Sequence, residues 1–195
     1  MTLKSINSLP ATMLLMLAFS NAWASSSWSY LTDVQSGGLM GVAHVNAVAQ
    51  SENGHEFNLG AGFVPKMSDH REMGLLSLGY GYQGDTRLEF RDAPGYALKP
   101  WYFGAGFLYG DHDELFLSLP DQYPSGYYAP TALRILFHYR MTLETPSRWQ
   151  FYMALTALDV GVISYIREPD FFYDNYEFLG LSGITNLGFG ARYRF

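Results

Sequence analysis

This chain is predicted to be all-β, closed into an eight-stranded antiparallel transmembrane up-and-down β-barrel. Three observations point there. Hydrophobicity alternates with period two along most of the chain. Aromatic residues are abundant while charged ones are scarce. The last strand-like segment, "NLGFGARYRF", keeps alternating up to Phe195.

Of the 195 residues, 48% are hydrophobic and 17% aromatic, with 15 Tyr and 14 Phe, and only 15% are charged. Ordinary soluble domains carry about 25% charge. The formal charge of −6 argues against a general affinity for nucleic-acid phosphates. There are no cysteines, which removes disulfide-scaffold and thiol-catalysis readings.

The front of the chain reads as a signal peptide over residues 1–24. Lys4 supplies the positive n-region, Ala11 to Phe19 is an apolar stretch too short to span a bilayer, and Ala22-Trp23-Ala24 is an A-x-A cleavage site ahead of Ser25. Residues 25–195 then form one domain, the barrel. No other segment approaches the ~18 consecutive apolar residues of a membrane-crossing helix.

The strands follow in order. Ser27–Val34 is the first and the weakest, and Leu39–Gln50 the second. "SENGH" follows as a turn, with Asn53-Gly54 as its hairpin signal. Glu56–Pro65 places Phe57, Leu59, Ala61 and Phe63 on one face. Met73–Gln83 does the same with Leu76, Leu78, Tyr80 and Tyr82, and Trp101–Gly110 with Trp101, Phe103, Ala105, Phe107 and Tyr109. Ala132–Leu143 shows the sorting most clearly: Leu133, Ile135, Phe137, Tyr139, Met141 and Leu143 lie on one face and Arg134, His138 and Arg140 on the other. A helix would scatter both sets around its axis. "ETPSR" is a short turn. Trp149–Ile166 is the seventh strand, with a parity break near Ala157–Asp159 that reads as a bulge or as a turn splitting the segment. Ile184–Phe195 is the eighth. Residues 84–100 are left as a long connection. The even count puts both termini on the periplasmic side and the segments 111–130 and 168–183 outside.

Leu187, Phe189, Ala191, Tyr193 and Phe195 resemble the C-terminal strand of Gram-negative outer-membrane proteins, where a terminal Phe after alternating aromatics is read by the assembly machinery. The resemblance implies location in the outer membrane and contact with its lipids and lipopolysaccharide. It also implies recognition by that machinery through Phe195. A monomer is expected.

Four strands share a glycine pattern: "LGAGF" (59–63), "LGYGY" (78–82), "FGAGF" (103–107) and "LGFGA" (187–191). A nucleotide-binding reading fails, since none opens a helix in a βαβ unit. In a barrel these glycines face a lumen just wide enough for side chains. Arg134, His138, Arg140, Gln150 and Tyr152 would fill it, with the charged ones paired to Glu144, Glu56 or Asp159, because buried charges need partners. If space is left over, Arg134, His138, Arg140, Tyr152 and Asp159 are the candidate ligand contacts.

No catalytic residue, metal site or cofactor is expected. The loop cluster Asp111-His112-Asp113-Glu114 lacks Ca²⁺-loop spacing and reads as solvated charge, as do Asp69, His70 and Glu72. Enzymes that trim or acylate lipid A on small barrels use a Ser with a His and an acid. This chain has no His-x-Ser pair, and Ser164 with Asp159 and His138 is the nearest approach. "YPSGYYAPTALR" (123–134) reads as a stiff, Tyr-rich lid. Together with "LTALDVGVISYIRE" (155–168) it resembles a family of small Gram-negative barrels, a resemblance that implies no activity. The functional expectation is an outer-membrane barrel that is structural or binds a small ligand or lipid. The competing class is a lipid A- or phospholipid-modifying enzyme.

Overall fold

A computed structural model describes residues 28–66, 71–113, 115–118, 131–167, 169–174 and 185–195. Eight long strands close a single antiparallel sheet: β1 (Trp28–Gly37), β2 (Ala43–Ser51), β3 (His55–Val64), β4 (Met73–Gln83), β6 (Ala97–Asp111), β7 (Leu133–Glu144), β8 (Trp149–Leu158) and β9 (Thr185–Arg194). Each pairs with its neighbours in sequence, β4 pairs with β6, and β9 returns to β1. A two-residue strand, β5 (Leu88–Glu89), pairs with Ala97 and Leu98 of β6.

The register sets the barrel's shape. Starting at Leu98 of β6, partners run through Leu143, Phe151, Ala191, Val34, Val45, Ala61 and Leu76, and return to β6 at Tyr109, eleven residues on. One of the eleven is the extra residue of the bulge between Lys99 and Tyr102, which leaves a stagger of ten. With ~3.3 Å per residue and ~4.8 Å between strands, eight strands so staggered tilt by about 40°, and a ten-residue strand rises about 25 Å. Every side chain in this circuit but the Tyr109 phenol is wholly apolar.

Period two sorts the side chains as expected. Phe57, Leu59, Phe63, Leu76, Leu78, Phe103, Phe107, Phe137, Phe151 and Phe189 point outward and are exposed, while Leu31, Asp33, His44, Glu56, Leu136, Tyr152 and Arg192 point inward and are buried. At the rim that carries both ends of the sheet the outer face is aromatic. Trp149 meets Tyr193 at 5.1 Å between ring centroids, Tyr193 meets Phe195, and Trp28 meets Phe57.

Four expectations are corrected. β1 runs three residues past Val34. β2 starts only at Ala43, because residues 37–42 form a tight turn in which Gly37, Gly38, Leu39 and Gly41 all have positive φ. Gly38 N–H donates to Leu187 O at 2.9 Å and Val42 N–H to Phe63 O at 3.0 Å, so the turn is stitched to β9 and β3. The connection after β4 is not irregular to residue 100. β6 begins at Ala97, and the bulge restores its parity before Trp101. The seventh strand does not run to Ile166 with a bulge. β8 stops at Leu158, where pairing with β9 has ended at Ala157–Thr185, and α1 (Asp159–Arg167) follows, then α2 (Pro169–Asp174). Asp159 in the first turn of α1 and Arg167 in its last both complement the helix dipole. The remaining boundaries agree within a residue, and the "SENGH" and "ETPSR" turns stand where expected. Much of the two long loop segments, including residues 119–130 and 175–183 and with them most of the Tyr-rich lid, lies outside the described residues.

Candidate functional site: the packed lumen

The strands that carry the inward parity bring four charges together. Glu56 of β3 is fully buried and takes two forks at once. Arg140 of β7 donates from Nη1 and Nη2 at 3.0 and 2.9 Å, and Arg192 of β9 donates from Nη1 and Nη2 at 2.8 and 3.0 Å. Arg192 Nε donates to Asp33 Oδ2 of β1 at 2.6 Å, and the Tyr152 hydroxyl of β8 donates to Asp33 Oδ1 at 2.7 Å. The Arg140 guanidinium lies 3.7 Å over the Tyr102 ring. Two carboxylates and two guanidiniums therefore neutralise one another in charge-assisted, mostly bidentate contacts.

Above this layer, away from the terminal rim, lie smaller polar groups. His138 Nδ1 is 3.2 Å from Thr156 Oγ1, and His44 Nε2 is 3.2 Å from Ser77 Oγ. An apolar cap then closes the loop rim: Met40, delivered by the β1–β2 turn, packs with Leu75, Leu108 and Leu136 and against Val64, Met73 and Leu158. Between charge and cap is a cavity of about 30 Å³, with Asp33, Asn58, Tyr102, His138, Arg140 and Tyr152 in its walls.

The glycine belt explains how these side chains fit. A Cβ on Gly190 would fall 2.2 Å from the Tyr152 ring, one on Gly81 2.3 Å from the Tyr102 hydroxyl, and one on Gly62 2.4 Å from His44. The large inward residues lie directly on the glycines of neighbouring strands. Gly106 differs: its Cβ would stand 2.5 Å from Leu78 O and 2.8 Å from Gly79 Cα, both backbone. Gly106→Ala must push β4 from β6. It is expected to lower stability by about 1–3 kcal/mol, read as an earlier midpoint in urea titration; an unchanged midpoint would contradict so close an approach.

Of the five candidate ligand contacts, His138, Arg140 and Tyr152 line the cavity. Arg134 and Asp159 do not join them. They face each other at 3.9 Å near the loop rim, where α1 begins. Of the pairings expected between Arg134, His138 or Arg140 and Glu144, Glu56 or Asp159, Arg140–Glu56 and Arg134–Asp159 are present. Glu144 instead pairs with Arg87 at 3.1 Å and Lys99 at 3.0 Å, tying the β5 hairpin to β7 at the terminal rim. Asp159 Oδ1 stands 3.9 Å from Arg134 Nη1, and His138 Nδ1 stands 3.2 Å from Thr156 Oγ1. In the loop cluster, Asp113 is engaged by Arg71; Glu114, Asp69 and His70 lie outside the described residues.

Sequence reasoning missed Asp33 and Arg192 as members of the lumen. The signal was present in the parity: Asp33 shares the inward face with Leu31 and Gln35, and Arg192 alternates against Ala191 and Tyr193. In β1 polar residues dilute the alternation, and in the last strand the aromatic face dominates it.

The fold and this interior define the class: an eight-stranded antiparallel up-and-down barrel whose lumen is filled by an ion-paired polar layer under an apolar cap. No protein-family model matches the chain, and no curated protein matches it.

Proposed function

We propose that this protein is a monomeric integral barrel of the Gram-negative outer membrane, delivered there after loss of residues 1–24, and that its role is structural. In this reading its outer face contacts membrane lipids and lipopolysaccharide, and its lumen passes no solute. The observation that carries the reading is the apolar outer face. Exposed large hydrophobic side chains stand on β1, β3, β4, β6, β7, β8 and β9, and a ten-residue strand's rise of about 25 Å matches the apolar band of outer-membrane barrels. A water-soluble barrel would turn polar side chains outward. The aromatic rim of Trp28, Trp101, Trp149 and Tyr193 suits an interfacial girdle. The filled lumen argues against a pore.

The test is expression of the full chain in a Gram-negative host. The protein should fractionate with the outer membrane, begin at Ser25, and migrate faster unheated than boiled. Deleting Phe195, which closes the aromatic series at the edge of β9 and is 70% exposed, should strongly reduce the folded, heat-modifiable form. Folded protein at undiminished levels would sink the proposed role of Phe195. Recovery in a soluble fraction would sink the membrane reading.

A further inference from the structure

We infer that the lumen binds one or two water molecules, and nothing larger, in the cavity between the charged layer and the apolar cap. The inference does not depend on the membrane setting.

Size decides first. The cavity measures about 30 Å³; roughly 10–15 Å³ of such space holds one water. A lipid chain, sugar or nucleotide has no room. Wall chemistry decides next. A cavity lined by Leu and Phe stays dry, whereas one lined by polar groups fills. Here the walls carry a carboxylate from Asp33, amides from Asn46 and Asn58, hydroxyls from Tyr102 and Tyr152, and the His138 ring.

One wall group also needs an acceptor. Arg140 is almost fully buried, and both its Nη atoms are spent on Glu56. Among the described residues, its Nε finds no hydrogen-bond partner. The group cannot swing away to find one, because Glu56 holds its fork and the Tyr102 ring lies against its face. A buried charged donor left unmade is strongly unfavourable. A water accepts from Nε and donates onward to a wall oxygen. A small ion fits worse. Asp33 and Glu56 already cancel Arg140 and Arg192, so an ion would add an unpaired charge to a buried site.

The test is a crystal structure of the folded barrel at atomic resolution, with a parallel crystal soaked in bromide. One or two ordered water peaks are expected in the cavity, one of them within about 3.2 Å of Arg140 Nε, with no anomalous bromide signal there. An empty cavity, or bromide bound within it, overturns the inference. In solution, the isotope-labelled barrel in micelles should show water cross-relaxation to ring protons of Tyr102 and His138; its absence also overturns the inference.

Discussion

Glu56→Gln should lower the unfolding free energy by about 3–5 kcal/mol, the range for breaking a buried ion pair by removing one partner. Two guanidiniums converge on this one carboxylate. Without its charge, Arg192 keeps Asp33, and Arg140 keeps no carboxylate partner among the described residues. The loss overstates the net contribution of the network, because burying four charges was itself unfavourable. What the network supplies is closure. Arg192 sits on the last strand and holds the first through Asp33 and the third through Glu56, so the charges meet only when the sheet has closed in this register. Urea titration in lipid vesicles measures the effect, and Asp113→Asn, at an exposed pair with Arg71, is the control. Equal midpoints for the two variants would contradict the assignment of Glu56 as the hub.

Leu59→Arg is expected to be nearly as damaging, for the opposite reason. Leu59 faces outward near mid-height of β3 and is about half exposed. On a water-soluble protein an exposed Leu→Arg change away from special features falls within about 0.5 kcal/mol of neutral. On a face turned to lipid it should cost about 2–4 kcal/mol near the bilayer middle. The same vesicle titration reads it, and a neutral result would mean that this face meets water.

The strand number, the closure and the facing of nearly every strand were legible because period two is a direct consequence of backbone geometry. Leu133 to Leu143 illustrate it. Where the period failed, other physics had taken over. At Gly37–Val42 a run of left-handed backbone turns Met40 into the mouth, and at Asp159 the sheet runs out of partners and a helix takes the chain. The interior was legible in kind but not in pairing. Arg140 and Glu56 could be matched as opposite charges of the same parity. That both guanidiniums share one carboxylate, and that Glu144 is diverted to Arg87 and Lys99, depends on the ten-residue stagger, which no local pattern encodes. The glycine belt was legible as a lumen feature. That Tyr152 lies on Gly190 while Gly106 faces backbone depends on the same stagger.

The central claim, a barrel set in a bilayer by its apolar face, is tested most directly by tryptophan quenching. A chain beginning at Ser25 has three tryptophans, Trp28, Trp101 and Trp149, all near the terminal rim of the outer face. The barrel is folded into vesicles whose lipids carry bromine at chosen depths along the acyl chain, and emission is compared across depths and against aqueous iodide. Strongest quenching by bromine near the headgroup end, weaker quenching at the chain terminus and little by iodide is the predicted result. Full quenching by iodide with none from any brominated lipid would contradict it.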